Sequence, residues 1–346
     1  MEHSAHKRLL LVGNPTAQSG KAKARISRAQ SLLTSEGFVV DTLDTAPHGR
    51  TVSLVAIALD EAKYDVVVAL GGDGTFAEVG KGILAAKHKA PLGLMPSGTG
   101  NDQGKSFGIS SKEERMSENA RIIAAGCETN LDVGRVESFE DGQLVASEIF
   151  FDSLGFGIQS EILQQRNRDR DLVEKVPFLR DVYRDQVVYA GATLAKYVES
   201  FFEPTKFDAS IVADGLSYDL FGLTDVIIKN TAVYGGSWIL ARESFPDDGK
   251  FELIPMTGRR DWFSKILRDH QAIPLWQEDF DLLGVTHSEG TAASSFELHL
   301  SRPAREDIHV QLDGEEWICG HHFKVEVEHG ELPILTPANF IPPWKT

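Results

Sequence analysis

The chain has 346 residues, of which 42% are hydrophobic and 25% charged, and its formal net charge is −16 at pH 7. Such a length favours two domains, and the composition is that of a globular protein. The negative charge argues against a nucleic-acid partner, because neutralising phosphates needs a basic face. No segment reaches the roughly 18 apolar residues of a membrane span. Two distant cysteines, Cys127 and Cys319, favour a reducing, cytoplasmic location.

The first 130 residues alternate short apolar runs with amphipathic stretches. The apolar runs predict strands at 8–12, 38–43, 66–70 and 91–95, and the amphipathic stretches predict helices at 22–35, 51–62 and 77–87. This alternation indicates a parallel sheet with right-handed crossovers. Ligands of such sheets lie beyond the carboxyl ends of the strands, where the glycine-rich turns of this chain fall.

The stretch 64–76, YDVVVALGGDGTF, is the centre of this region. After the apolar strand, Gly71, Gly72 and Gly74 surround Asp73, and Thr75 leads toward the next helix. A strand, a glycine-rich turn and a helix start predict a phosphate site, because glycines let a ligand approach the backbone and helix amides attract anions. Asp73 would repel a bare phosphate, so we expect it to order the loop or to meet a metal–phosphate complex through water. A tight turn without a ligand is the alternative.

Beyond about residue 130 the pattern changes to short alternating strands separated by turns, which predicts an antiparallel, sandwich-like domain. Helical stretches at 160–202 and 261–270 interrupt it. The predicted fold class is therefore α/β followed by β. We expect a nucleotide-binding α/β domain at 1–130, completed by the tail 331–346, and a β-sandwich substrate domain at 131–330.

Two common nucleotide motifs are absent. In GNPTAQSGK, six residues separate Gly13 from Gly20 where a P-loop has four, and Ala22 follows Lys21 in place of Ser or Thr. The segment around Gly98 and Gly100 lacks the third glycine of the dinucleotide-binding fingerprint. The sequence therefore predicts neither a P-loop NTPase nor a Rossmann dehydrogenase.

A set of motifs in order, NP…SGK, GGDGT and PSGTGND, resembles the diacylglycerol kinase catalytic family, which includes sphingosine and ceramide kinases. That family shares its nucleotide domain with NAD kinases and phosphofructokinases. The later segments FDSLGFG, NTAVYGGSW, SFPDDGKF and VQLDGEEW are similar to the family's second domain. The resemblance extends from residue 9 to about residue 337. Departures are the extra residues in the first loop and Ala77, which stands where the family commonly has asparagine.

The resemblance implies the residues of a kinase cleft. The nucleotide would be held by Asn14, Pro15, Gly20, Lys21, Thr45, Gly71, Gly72, Asp73, Gly74, Thr75, Glu78, Thr99, Asn101 and Asp102. In the late DGE segment, Asp313 or Glu315 would accept the proton of the attacking lipid hydroxyl. For the DGE segment alone, a plain hairpin turn is the alternative, since Asp-Gly is a strong turn signal.

The resemblance also implies a Mg²⁺ site in the SFPDDGKF loop. Its ligands would be the backbone carbonyls of Phe245 and Lys250 and the side chain of Asp248, with waters. One carboxylate plus carbonyls suits a hard cation that keeps part of its water shell. An Asp-Asp-Gly turn without an ion is the alternative.

These observations predict a Mg²⁺-dependent lipid kinase that transfers the γ-phosphate of ATP to a hydroxyl of a diacylglycerol-like or sphingoid lipid. We expect a cytoplasmic protein that associates transiently with a membrane surface, where the lipid is presented, and relatives imply a homodimer. Two alternatives stay open: an NAD-kinase-like phosphotransferase with a soluble acceptor, and a nucleotide-binding regulatory protein without turnover.

Overall fold

A computed structural model describes residues 7–15, 21–98, 100–157, 206–235, 238–258, 261, 290–303 and 307–339. The first part of the chain alternates strands and helices. Its elements are β1 (Arg8–Gly13), α1 (Lys21–Ser35), β2 (Val39–Asp44), α2 (Arg50–Glu61), β3 (Val66–Gly71), α3 (Asp73–Ala85), β4 (Leu92–Pro96), α4 (Asp102–Ser106), a 3₁₀ turn (Glu113–Arg115) and α5 (Met116–Ala125).

The parallel sheet of this part is covered on both faces. Its strands are ordered β2-β1-β3-β4 and pair in parallel. On β3, Val67 and Ala69 pack with α2 and α3, whereas Val66 and Val68 pack with α1 and α5. Two covered faces explain why β3 is apolar along its whole length. The predicted parallel α/β region is confirmed.

Helix α3 begins four residues earlier than the helix predicted at 77–87, with Asp73 as its first residue. The two glycines of this turn have low helix propensity, so sequence patterns place them outside a helix. In the fold, Gly72 is the extended N-cap residue and the amide of Phe76 donates to its carbonyl. As a result Asp73, Gly74 and Thr75 form the first helical turn.

The second part of the chain consists of short strands. They are β5 (Glu128–Glu140), β6 (Gln143–Phe150), β7 (Ser153–Gly157), β8 (Phe207–Ala213), β9 (Leu216–Leu223), β10 (Asp225–Lys229), β11 (Val233–Tyr234), β12 (Trp238–Ile239), β13 (Phe251–Met256), β14 (Thr291–Ala293), β15 (Ser295–Ser301), β16 (Ile308–Leu312), β17 (Glu315–Gly320) and β18 (His322–Leu335).

The long strand β18 joins the two parts. Near its end, Ile334 pairs in parallel with Leu92 of β4, while the strand pairs antiparallel with β5 and β15. The parallel strands thereby continue into a ten-stranded sheet whose main path is β2-β1-β3-β4-β18-β15-β8-β9. The relative orientation of the two parts is thus set by backbone hydrogen bonds of one continuous sheet.

A second sheet packs on the antiparallel part of the first. Its order is β14-β13-β10-β7-β16-β17. Between the sheets lies an apolar core with a large aromatic share, including Phe150, Phe156, Phe207, Phe251 and Phe323. Inward apolar residues alternate with outward polar ones along β8 and β15, as packed sheets require. The predicted antiparallel sandwich is confirmed.

The predicted helical stretch 160–202 lies outside the described residues, as does that at 261–270 apart from Asp261. Among the residues that the structure describes, none of the helices is long and apolar enough to cross a bilayer.

Candidate active site

A cleft of about 810 Å³ opens where the carboxyl ends of the parallel strands face the hairpin between β16 and β17. Its floor is formed by residues that come just after β1, β2 and β3 in the chain. The lining residues are Asn14, Thr45, Ala46, Pro47, Gly74, Thr75, Ala77, Glu78, Lys81, Glu148, Leu312, Asp313, Glu315, Glu316 and Trp317. The structure therefore brings together residues that lie some 300 positions apart in the chain.

The N-terminus of α3 forms one wall of the cleft. Gly74 and Thr75 line it from the first turn and Glu78 from the next. Gly72 caps the helix without a side-chain hydrogen bond. The amides at such an end carry partial positive charge and attract anions. An alanine Cβ at Gly74 would meet no atom within 4 Å, so the glycine leaves open space in front of the helix end.

Asp73 joins the GGDGT turn to the neighbouring PSGTGND turn. Its carboxylate accepts the backbone N–H of Asn101 at 2.7 Å and that of Gln103 at 3.3 Å. The Asn101 side chain in turn closes its own loop, accepting from the Gly98 amide at 2.8 Å and donating to the Gly98 carbonyl at 2.6 Å. Of the two roles predicted for Asp73, this geometry shows loop ordering.

The two turns also touch through their glycines. A Cβ on Gly98 would lie 2.6 Å from the Gly72 Cα, so neither turn tolerates a side chain there. Gly71, Gly72, Asp73 and Asn101 line a separate cavity of about 10 Å³. These four predicted nucleotide residues are thus not among the residues that line the large cleft.

Asp313 projects into the cleft from the tight turn between β16 and β17. Its backbone has φ of +50°, and Gly314 follows with φ of +81°. Its Oδ1 accepts the backbone N–H of Asp152 at 2.7 Å and of Ser153 at 3.1 Å. The N–H of Phe151 is shared between Oδ2 at 3.0 Å and Oδ1 at 3.2 Å. These hydrogen bonds fix the carboxylate against the turn between β6 and β7, Phe151 and Asp152, which we call the clamp turn.

The pKa of Asp313 is shifted in the opposite direction from that of Asp214, an aspartate in a similar Asp-Gly turn. Asp214, with φ of +46° before Gly215, also accepts backbone N–H groups, those of Ser294 and Ser295. Although burial opposes it, these hydrogen bonds lower the pKa of Asp214. Burial and the charge of Asp152 instead raise the pKa of Asp313 to about 6, despite its three N–H donors. A carboxylate tuned toward neutrality suits a general base.

The raised pKa of Asp313 predicts a pH dependence of stability with a definite sign. Because the folded pKa of about 6 exceeds the unfolded value of about 3.9, the contribution of Asp313 to the unfolding free energy is full below pH 4 and is lost as pH rises through 6. We expect Asp313→Asn to reduce this loss by on the order of 1–2 kcal/mol, allowing for solvent screening of a half-buried group. Urea denaturation at pH 4.5 and 7.5 measures it; parallel pH profiles of variant and wild type would contradict it.

The predicted metal loop lies outside the cleft lining. The amide of Gly249 donates to the buried Asp132 carboxylate at 2.6 Å, and the amide of Asp132 donates to the Pro246 carbonyl at 2.7 Å. These bonds tie the loop to β5. Asp248 is exposed and its Oδ1 accepts the amide of Lys250 at 2.9 Å. Its pKa is raised, chiefly by desolvation and then by the charges of Asp132 and Asp247, in spite of that bond.

Several residues that line the cleft were missed by sequence reasoning. Lys81 lies one helical turn after Glu78 on the same face of α3, and its Nζ pairs with Glu148 of β6 at 3.1 Å across the cleft. The spacing of three residues could have identified Lys81. Glu148 and Trp317 carry no comparable local signal, because only sheet packing brings them to the cleft.

The NTAVYGG motif has a structural role at this site. Asn230 is 0% exposed, and its Nδ2 donates to the carbonyls of Asp132 at 2.7 Å and Phe151 at 2.8 Å. Its own carbonyl accepts the Ser244 hydroxyl at 2.6 Å. Asn230 therefore links β5 to the turn between β6 and β7 through its side chain, and holds Ser244, just before the predicted metal loop, through its backbone carbonyl.

The other predicted nucleotide residues either are not among the residues that line the cleft or lie outside the described residues. Gly20 and Thr99 lie outside the described residues, and for Lys21 only the backbone is described, at the start of α1. Pro15 follows Asn14 directly, and Asp102 is the first residue of α4.

Two histidines that are distant in sequence meet on the outer face of the large sheet. His299 of β15 pairs with His322 of β18, and their rings stack with centroids 4.0 Å apart. Glu297 accepts from His322 at 2.8 Å, and Lys324 Nζ lies 3.6 Å from the same oxygen. One ligand atom from each of Glu297, His299 and His322 lies within 4.8 Å of the other two.

Comparison with known proteins agrees with this geometry. Residues 8–136 match the model of the diacylglycerol kinase catalytic domain. A diacylglycerol kinase of Mycobacterium tuberculosis is 26% identical over 328 residues, which cover 94% of each chain. One of Staphylococcus saprophyticus is 32% identical over 132 residues, covering 38% of this chain and 42% of the relative. A crystal structure of a diacylglycerol kinase from Bacillus anthracis superposes with a TM-score of 0.67 at 21% identity, covering 96% of this chain and 98% of that one.

The fold and the cleft define a two-part protein in which a parallel α/β region faces a β-sandwich. Residues 8–136 match the diacylglycerol kinase catalytic-domain model, and a relative that is similar along nearly the whole chain is a diacylglycerol kinase, which confirms the resemblance found in the motifs.

Proposed function

We propose that the protein is an ATP-dependent lipid kinase that phosphorylates a hydroxyl of a diacylglycerol-like or sphingoid lipid. The observation that carries this proposal is the convergence, on one cleft, of the phosphate-type turn at Gly74 and Thr75 with the clamped carboxylate of Asp313. A phosphoryl donor at the helix end and a base opposite it are the two parts that phosphoryl transfer requires.

The donor half of the proposal rests on three strand ends. Asn14 follows β1, Thr45 follows β2 and Thr75 follows β3, and all three line the cleft. Amide and hydroxyl groups at these positions would orient the nucleotide, while the first turn of α3 would receive its phosphates. Lys81, paired with Glu148, adds a positive charge on the same helix face.

The acceptor half rests on the β16–β17 hairpin. Asp313, with its pKa raised to about 6, would accept the proton of the attacking hydroxyl at neutral pH. Glu315 lies two residues further along the same wall. Leu312 and Trp317 give this wall an apolar part beside Asp313, which suits the glycerol or sphingoid end of a lipid acceptor.

Mg²⁺ fits the loop around Asp248. Desolvation and the charges of Asp132 and Asp247 raise the pKa of Asp248 although Lys250 lowers it, so several carboxylates lie near this loop. Asp248 and the carbonyls of Phe245 and Lys250 would hold the ion, which would neutralise that charge and stiffen the loop. Asp132 would keep the loop in place through Gly249.

We expect Asp248→Asn to remove most of the Mg²⁺-dependent rise in melting temperature, because the side-chain ligand of the loop loses its charge. Thermal unfolding with and without millimolar Mg²⁺, free of nucleotide, measures this. The matched control is Asp247→Asn, which removes a neighbouring charge that is not a proposed ligand. An equal Mg²⁺ response in wild type and Asp248→Asn would contradict the assignment.

Transfer of radiolabelled γ-phosphate from ATP to a panel of diacylglycerols, sphingoid bases and ceramides, with NAD as a soluble acceptor, tests the function. Label on one lipid class supports the proposal. Label on NAD alone would replace it by the NAD-kinase-like alternative. ATP binding without label on any acceptor would favour the regulatory protein without turnover.

A further inference from the structure

A buried lysine lies directly behind the turn that clamps Asp313. Lys229, the last residue of β10, is 0% exposed, and its Nζ donates to Asp152 Oδ1 at 2.6 Å and to the Val233 carbonyl at 2.8 Å. The Thr231 hydroxyl donates to the same Asp152 oxygen. Lysines are almost never fully buried unless paired, so the ion pair accounts for the position of Lys229.

Asp152 connects this ion pair to Asp313. The side chain of Asp152 faces Lys229, while its backbone N–H forms the shortest of the bonds to Asp313, at 2.7 Å. The backbone carbonyl of Asp152 also accepts the amide of Asn230 at 2.9 Å. Because both the side chain and the backbone of Asp152 are held from β10 and its following turn, the N–H groups that clamp Asp313 have a fixed direction.

The negative charge of Asp152 affects one carboxyl group in each part of the chain. It raises the pKa of Asp313, and it also raises the pKa of Asp73 in the first turn of α3, after the larger effect of desolvation in each case. Lys229 is the cation paired with this charge at 2.6 Å. The strength of the field that Asp152 exerts on Asp313 therefore depends on Lys229.

We propose that Lys229 is a positioning residue for Asp313: through its ion pair with Asp152 it holds the clamp turn and offsets the negative charge beside the base. Lys229 is fully buried and acts through Asp152, without touching a substrate. The consequence for phosphoryl transfer rests on the proposed function, whereas the effect on the titration of Asp313 does not.

Other charged groups line the same cleft as Asp313. They come from α3, from β6 and from the Asp313 hairpin itself, and they are Glu78, Lys81, Glu148, Glu315 and Glu316. Since these groups stay unchanged when the pair is altered, differences between the pair variants report the pair itself.

The test compares Lys229→Met with Asp152→Asn. Removing the cation leaves Asp152 unbalanced, so the acidic limb of the pH–rate profile should move to higher pH. Removing the carboxylate leaves Lys229 unbalanced, so the limb should move to lower pH. In both variants kcat should fall at least about tenfold with little change in KM for ATP, because the base and not the nucleotide site is disturbed. The control is Lys63→Met, an exposed lysine of the α2–β3 connection.

If Lys229 had a purely structural role, kcat would fall while the acidic limb of the pH–rate profile stayed in place, or the limb would move in the same direction in both variants. Either result would overturn the proposal. Because one unbalanced buried charge endangers folding, the double variant Asp152→Asn with Lys229→Met is made in parallel. It should fold as wild type does and show an acidic limb at lower pH than that of Lys229→Met.

The titration of the Asp313 carboxyl, followed by ¹³C NMR and assigned with Asp313→Asn, needs no substrate. If wild type transfers no phosphate to any lipid but the Asp313 titration moves in opposite directions in the two variants, the proposed function fails and the role of Lys229 stands. An Asp313 titration that is the same in all variants would overturn that role whatever the activity.

Discussion

Replacement of Asp313 by asparagine is expected to lower kcat for phosphate transfer to the best lipid acceptor by about 10²- to 10⁴-fold, the usual contribution of a general base. The fold should persist, because Oδ1 accepts the N–H groups of Asp152 and Ser153 and asparagine retains it. The Phe151 N–H loses its Oδ2 acceptor at 3.0 Å but keeps Oδ1 at 3.2 Å. Binding of ATP should change little, since the phosphate end of the cleft is formed by other residues. Steady-state kinetics together with calorimetric ATP binding separates the two effects.

The matched control for this variant is Asp214→Asn. Asp214 occupies the same kind of Asp-Gly turn and also accepts neighbouring backbone N–H groups, but it lies outside the cleft lining. Wild-type kcat in Asp214→Asn with a collapsed kcat in Asp313→Asn would assign the base. Unchanged lipid phosphorylation in Asp313→Asn would show that Asp313 is not the base and that its turn is only a hairpin.

Replacement of Gly74 by alanine is expected to weaken ATP binding at least about tenfold, equivalent to about 1.4 kcal/mol, without loss of stability. The added Cβ meets no protein atom within 4 Å, and Gly74 lines the cleft in the first turn of α3. Alanine is also the better helix former. A measured Kd for Mg-ATP and a melting temperature should therefore move in opposite senses, with weaker binding and equal or higher stability.

Gly82→Ala, on the same helix, gives the opposite pattern. A Cβ there would lie 2.6 Å from Val55 Cβ and 2.9 Å from the Val52 carbonyl oxygen of α2, so this variant should lose stability. ATP affinity in its folded fraction should be close to wild type. Full-strength ATP binding by Gly74→Ala would show that the phosphates do not approach this helix end.

Local patterns in the sequence predicted most of the α/β region. Unbroken apolar runs such as Val66–Gly71 predicted strands covered on both faces, because such runs are stable only between two helical layers. The start of α3 was misplaced by four residues, since glycine at 74 has a low helix propensity whether or not tertiary structure favours a helix there. Helix propensity alone therefore does not predict where a helix begins when tertiary contacts fix the glycine-rich turn before it.

The candidate site was predicted only as separate motifs. Motif order identified GGDGT and LDGE, but hairpin propensity is the same for the Asp-Gly turns at Asp141, Asp214 and Asp313, all with positive φ. The packing of β16 against β7 decides that the last of these turns faces the clamp turn and the cleft.

The sequence by itself determined the element types, the phosphate-type turn and the presence of a late carboxylate, because these depend on residues a few positions apart. Tertiary structure alone decided that Lys229 pairs with Asp152, that the Asp152 amide binds Asp313, and that the loop held by Asp73 is the neighbouring one at Asn101. Burial and charge at these positions depend on groups 28 to 161 residues apart in sequence. Side-chain chemistry of that kind is set by the sheet that brings the groups together.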